Sequence, residues 1–237
     1  IGLYSDASIA GTNVFSTDNN LQFQFGTGAN IEHRLLVGLD YSWNKVKKRG
    51  GFGYEVIDLY NIDYGALTLP AISPDWAIDT QKQLGLYVQD QMRCFDRVSV
   101  VLGARHDRLR SNNADGTKAT DHATTFRAGI IGEVGAGLSP FFSYTESFQP
   151  ITGLKPQTGR QFEAGVKWQP DLNTLVTVTA FDIKEANRPL TGPGSIVTQS
   201  GKLTTSGIEL EASRTLPGDF ELLVNYGYNK LKSNDSP

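Results

Sequence analysis

Two glutamates, Glu209 and Glu211, stand two residues apart in an alternating run. On an extended chain, two rises of ~3.3 Å put their carboxylates within the ~5–9.5 Å used by glycoside-cleaving acid pairs. Spacing is their only catalytic credential, since nearby positions on the same parity are also charged. A wetted strand face accounts for them. Arg105 and Asp107 share a face in the same way and suit an ion pair along the strand or across to a neighbour. His33 lies beside a short turn, His106 on an apolar parity and His122 at a loop edge, so they do not converge on a metal or a catalytic base. The single cysteine, Cys94, excludes an internal disulfide framework, a Cys-rich zinc site and an iron–sulfur cluster. Asn113, Asp115 and Gly116 begin like a calcium loop, but the remaining ligands and the closing Glu are missing, which leaves an Asp-Gly turn. Gly132, Gly135 and Gly137 precede no helix, so they mark a tight turn and no dinucleotide site. Nothing in this inventory assembles a catalytic centre.

Aromatic residues are the stronger signal. The stretch 47–79 reads as a loop of 33 residues carrying Phe52, Tyr54, Tyr60, Tyr64 and Trp76. Loops beyond ~12–15 residues are commonly functional or disordered, and this aromatic content argues against disorder. Exposed Tyr and Trp offer rigid amphipathic area for binding at low entropic cost. Phe148, just before a second loop at 149–159, is a further candidate.

Long strands must position these groups. The 237 residues are 39% hydrophobic, 20% charged and 10% aromatic, with a formal charge of −3. That balance gives no basic footprint for nucleic acid. Helical periodicity is nearly absent, and period-two alternation recurs throughout. It predicts ten strands, at 15–28, 33–46, 80–94, 97–110, 122–134, 139–148, 160–169, 174–187, 203–215 and 219–231. Ordinary globular strands cluster near 5–6 residues, whereas a tilted strand needs ~9–11 to cross a bilayer core. One parity carries Leu84, Leu86 and Val88, then Val98, Val100 and Leu102, then Ile208 and Leu210; the other carries Gln83, Gln89, Arg105, Asp107 and Glu209. Only 139–148 and 174–187 alternate poorly. Joins at 29–32, 95–97, 135–138, 170–173 and 216–218 are short, and those at 47–79, 111–121, 149–159 and 188–202 are long. Strict alternation of short and long joins is the habit of outer-membrane barrels. Tyr41, Trp43, Tyr226 and Tyr228 toward one rim, with Trp168 and Phe220 toward the other, suit two aromatic girdles.

Several blocks then carry a resemblance: "HRLLVGLDYSW" followed by "FGYEVIDLYN", "KQLGLYVQDQ" followed by "VVLGARHDR", "SPFFSYTESFQPITG", "GRQFEAGVKWQP", "VTAFDIKEANRP" and "TSGIELEASRTLPGDFELLVNYGYNK". In this order they are similar to the central barrel of TonB-dependent ferric-siderophore receptors of the bacterial outer membrane, nearest the ferrichrome and ferrioxamine hydroxamate group. The likeness extends from about Leu21 to Lys232. It implies a larger, plugged barrel, of which residues 1–237 are about ten strands, without the plug or the remaining strands. It also implies a transporter and no enzyme, monomeric at full length and energised by a TonB–ExbB–ExbD complex through a plug segment absent here. Aromatic side chains above the plug hold the ferric siderophore by its organic shell in such receptors, which points to Phe52, Tyr54, Tyr60, Trp76 and Phe148. The iron stays coordinated by the siderophore, so no protein metal ligands or cofactors are expected. Two other readings compete: a closed ten-stranded barrel protease, which needs a His and acids gathered at the long-loop rim, and a soluble all-β interaction module.

Overall fold

The computed structural model describes residues 2–233 apart from 59, 62, 66, 152–153, 192–196 and 219. It is one antiparallel sheet whose ten strands lie in chain order, each hydrogen-bonded to the next. They are β1 (Gly2–Thr27), β2 (Ile31–Val56), β3 (Ala77–Cys94), β4 (Val98–Asn112), β5 (Lys118–Gly132), β6 (Leu138–Gln149), β7 (Gln157–Asp171), β8 (Thr174–Thr191), β9 (Val197–Leu216) and β10 (Phe220–Ser233). All ten expected strands are present. Two are much longer than the alternation predicts: β1 begins at Gly2, and β2 continues to Val56. The expected 33-residue loop therefore shrinks to residues 57–76, and the join after β4 to Asn113–Thr117. Much of what reads as long loop is strand continuing past the apolar band.

The two flanks of the sheet differ in a way that inverts a soluble protein. Facing residues of adjacent strands share a flank, so Val37, Val88, Ala104 and Phe126 form one row. This flank also carries Leu39, Leu86, Leu102, Ile130, Val178, Ile208 and Val224, all exposed. The opposite flank holds the buried residues, Asp107, Leu109 and Ser111. The described strands form a single layer, so burial on one flank alone comes from curvature that crowds side chains on the concave face. The polar flank is concave and the apolar flank convex, the arrangement of a barrel wall with lipid outside and a wet lumen. On β2, ten residue steps from Ile31 to Tyr41 rise by ~3.3 Å each and, tilted by ~40°, climb roughly 25 Å, the height of a membrane barrel's apolar band.

Concave-face aromatics explain why two strands alternate poorly. Phe141 on β6 and Phe181 on β8 face the lumen, where the polar parity belongs. Each lies across a directly opposed glycine, Phe141 over Gly165 and Phe181 over Gly207, and Tyr87 does the same over Gly38. A ring laid on a glycine covers bare backbone and keeps the lumen wide. A Cβ at Gly207 would meet the Phe181 ring. Gly207→Leu is expected to lower the stability of the refolded receptor by about 1–3 kcal/mol, the usual cost of overpacking, read as a lower thermal midpoint.

Candidate functional site

Phe52 and Tyr54 sit on strand and not in the loop where the sequence pattern puts them. Tyr4 faces Tyr54 and Asp6 faces Phe52 in the β1–β2 ladder. All three rings occupy the concave flank at the long-join rim. Tyr4 lies 5.7 Å from Phe52 and 5.1 Å from Tyr54 between ring centroids. They remain open, with exposures of 69% for Tyr4, 68% for Phe52 and 55% for Tyr54. Tyr4 escapes sequence analysis because Ser, Asp, Gly and Asn dominate the first turn-like stretch. The available signal is the alternation of Gly2, Tyr4, Asp6 and Ser8 with Leu3, Ser5, Ala7 and Ile9.

The connecting loop folds down on the other side. Ser73 donates its N–H to the Gly50 carbonyl at 3.1 Å, and Thr68 donates to Glu55 at 3.2 Å. The Ala71 backbone rests where a Cβ on Gly51 would be, so the close approach needs glycine there. Trp76 packs under Lys47 at 4.8 Å and Arg49 at 4.6 Å, both on the convex flank. Tyr60 projects from the loop with 97% exposure. Phe148 lies on β6 with the parity of Phe142, also convex, and lines a cleft of about 890 Å³ formed by β5 to β9. Of the five expected aromatics, then, Phe52 and Tyr54 meet and recruit Tyr4, while Tyr60, Trp76 and Phe148 stand apart.

Below the cluster the lumen wall is polar, and much of it is cross-linked by side-chain hydrogen bonds. Arg105 lies over Gly85, which faces both Asp40 and Asp107 in the ladders. Its guanidinium donates to Asp40 at 2.6 and 3.1 Å and to Asp107 at 2.7 and 2.6 Å, two forked pairs. Gln83 adds a bond to Asp107 at 2.8 Å. Tyr87 donates to Asp18 at 2.7 Å with Arg105 against its ring. The expected pairing of Arg105 with Asp107 is present, and Asp40 joins it from two strands away.

No catalytic constellation forms among the described residues. His33 pairs with Asp90 at 2.7 Å near the short-turn rim. His106 and His122 do meet, contrary to the sequence expectation, with ring centroids 5.9 Å apart. Residue 122 is in strand β5 and not at a loop edge, which brings the rings together across β4 and β5. No three potential ligands gather among the described residues. Glu209 and Glu211 share the concave flank, exposed, facing Thr179 and Thr177. The Asn113–Thr117 turn is closed by Asp115, which accepts from the Thr117 backbone at 2.8 Å and hydroxyl at 2.6 Å.

A family profile described as TonB dependent receptor-like, beta-barrel, matches residues 2–237. The chain belongs to the TonB-dependent receptor β-barrel family. Its similar relatives include the ferrichrome outer membrane transporter/phage receptor of Escherichia coli K12, 33% identical over 90% of this chain and 32% of that protein. The ferrioxamine B receptor of Salmonella typhimurium is 31% identical over 92% of this chain and 33% of its own length. The chain thus spans about a third of the length of these relatives. The ferripyoverdine receptor of Pseudomonas aeruginosa, solved with ferripyoverdine bound, superposes with a TM-score of 0.78 at 22% identity over 97% of this chain and 34% of that one. The E. coli ferric-catecholate import receptor Fiu gives 0.74 at 17% over 95% and 38%.

Membership in this outer-membrane family fixes which flank meets lipid. No helix among the described residues is long and apolar enough to cross a membrane; it is the β-barrel family match that gives the crossing to strands. The closed ten-stranded alternative fails because β1 and β10 are the two edges of the sheet. The soluble module fails on the exposed convex leucines and valines. In the receptor barrel the Arg105 cluster is a wall fastener: Asp107 is 2% exposed, and stripping its guanidinium leaves a buried unpaired charge. Arg105→Met is expected to cost about 3–5 kcal/mol, and the double change with Asp107→Leu considerably less, measured by denaturant unfolding of the refolded barrel. The Asp115 carboxyl, outside the membrane band, is held below the ordinary range by the Thr117 hydroxyl and then by the Thr117 backbone N–H. A depressed folded-state pKa supports the turn above the ordinary carboxylate range and withdraws that support as pH falls through the lowered value. Amide exchange at Thr117, corrected for intrinsic pH dependence, is therefore expected to quicken in acid.

Proposed function

We propose that this chain forms part of the wall and outer vestibule of a TonB-dependent receptor that takes up ferric siderophore complexes, of the hydroxamate type bound by relatives named for ferrichrome and ferrioxamine. The observation that carries the reading is the Tyr4, Phe52 and Tyr54 cluster, three open rings converging on the lumen flank at the long-join rim. A ferric siderophore presents an organic shell around a metal already fully coordinated. Such a ligand calls for flat amphipathic surface and no protein metal ligand. Tyr60, exposed in the loop above, supplies a further contact as the ligand arrives; Trp76 and Phe148, on the convex flank, belong less naturally to the same pocket. Iron enters only as cargo inside the ligand. Energy reaches the receptor from a TonB–ExbB–ExbD complex acting through a plug segment.

In the receptor-length protein, Phe52→Ala with Tyr54→Ala is expected to weaken binding of ferric hydroxamate siderophores at least about tenfold, since each lost aromatic contact is worth on the order of 1 kcal/mol or more. Quenching of intrinsic fluorescence reads the affinity, and heat-modifiable gel migration confirms folding. Unaltered affinity in a folded double variant rejects the assignment. Tyr54→Phe separates stacking from hydroxyl bonding.

A further inference from the structure

Five residue pairs join β5 to β6, whereas β4 is laddered along the whole of β5 and β7 along the whole of β6. Above Arg127 and Thr145 the two strands part, and each keeps an open hydrogen-bonding edge. Bonds at the ends of β5 show which residues hold that edge. Val134 donates its N–H to Leu138 at 3.0 Å and Phe126 donates to Glu146 at 2.9 Å, so even-numbered residues aim toward β6. Glu133 donates to Arg97, so the odd-numbered ones serve β4. Thr120, His122 and Thr124 therefore turn their N–H and C=O groups to the gap, and Glu146 and Phe148 do so from the far side. Between them lies the cleft of about 890 Å³. Its charged lining is unevenly committed. Glu146 is taken by the Phe126 N–H and by the Tyr144 hydroxyl at 2.5 Å, and Glu185 accepts from Gln157 at 3.1 Å. Lys184 pairs with Asp182 at 3.3 Å. Lys155, Arg160 and Lys202 line the cleft and enter no ion pair among the described residues, with Asp121 the one uncommitted acid of the lining.

We propose that the cleft binds one extended, acidic polypeptide segment of a protein or peptide ligand reaching the receptor from outside the cell. The segment adds as a strand between β5 and β6, antiparallel to one edge and parallel to the other. A strand carries donors and acceptors on both sides at the same ~3.3 Å repeat as the two open edges. Its side chains alternate between flanks. Those on the convex side meet Phe148 and His122, and those on the concave side meet the small Ala123 and Ser147. An acidic side chain on the segment answers Lys155, Arg160 and Lys202. A small anion engages the same cations but leaves both backbone edges unpaired.

Amide exchange of the receptor-length protein in neutral detergent tests this. The probe is a terminally blocked peptide of about eight residues, alternating threonine and valine around a central glutamate, long enough to span the open edge. At saturation it is expected to slow exchange at Thr120, His122 and Thr124 by about tenfold or more, and a copy N-methylated at alternate residues is expected to give no protection. Thr124→Pro removes one donor from the open edge and none from the β4 ladder. It is expected to weaken the peptide about fivefold, read by fluorescence anisotropy. The K155Q/R160Q/K202Q variant is expected to lose the preference for this peptide over its glutamine counterpart. Should Thr124→Pro fail to fold, the N-methylated copy carries the test of backbone pairing. Absence of protection by the peptide overturns the proposal, as does equal protection by the N-methylated copy or an undiminished glutamate preference in the folded triple variant. So does slow exchange at these three amides without peptide, which shows the receptor's own chain filling the cleft.

Discussion

Lipid cannot hydrogen-bond a peptide group, and each unsatisfied N–H or C=O in the bilayer core costs several kcal/mol. That constraint accounts for the pairing pattern more fully than any side chain does. Every neighbouring pair of strands is laddered through the level of the convex apolar residues. The β5–β6 ladder is the telling case, because it is short: it joins Arg127–Ile131 to Phe141–Thr145 and no further. Those five residues carry the convex Ala128 and Ile130 opposite Tyr144 and Phe142. The strands part at Phe126, level with the end of the apolar band. There Glu146 accepts the orphaned Phe126 N–H at 2.9 Å. Above the band, water is available for the rest. Pairing is complete where lipid demands it and lapses where solvent can take over.

The same constraint decides what the sheet does with its faces. Once the backbone is satisfied, the convex side chains need only be apolar, and the concave ones must satisfy each other. Arg105 bridges β2 and β4 across Gly85 because glycine on β3 leaves space for a guanidinium to lie flat. Asp40 and Asp107 are thereby paired without reaching into the lumen. This is a fastening that keeps the passage open.

Strand number, strand order and most faces were legible in the sequence because period-two alternation is dictated by geometry and survives in a membrane wall. Two kinds of residue broke it. Phe141 and Phe181 put rings on the wet parity, excusable only by the glycines opposite them, Gly165 and Gly207, which lie in other strands and leave no local trace. Residues 2–11 and 47–56 have the polar, glycine-rich composition of loops, yet they pair with one another along the whole length. Strand above the membrane has water on both sides and so loses the alternation by which strand is recognised. This also explains why Tyr4 was missed while Phe52 and Tyr54 were found in the wrong kind of element. The meeting of His106 with His122 failed for the same reason, since β5 extends beyond its apolar residues.

Lumen-facing aromatics thus fall into two groups that a residue count cannot separate. Tyr87, Phe141 and Phe181 each lie on the glycine directly opposite, which turns a large side chain into flat wall. In the upper cluster Tyr4 faces a tyrosine and Phe52 faces an aspartate, so neither ring has a glycine opposite to lie on, and both remain more than half exposed. Open aromatic area in contact with water is unfavourable unless something apolar comes to cover it. A structural role would favour the flattened arrangement that the same wall uses three times below. Tyr54 shares that arrangement by lying against Gly2, whereas Tyr4 and Phe52 forgo it, which supports the proposal that a ligand's organic surface completes their burial.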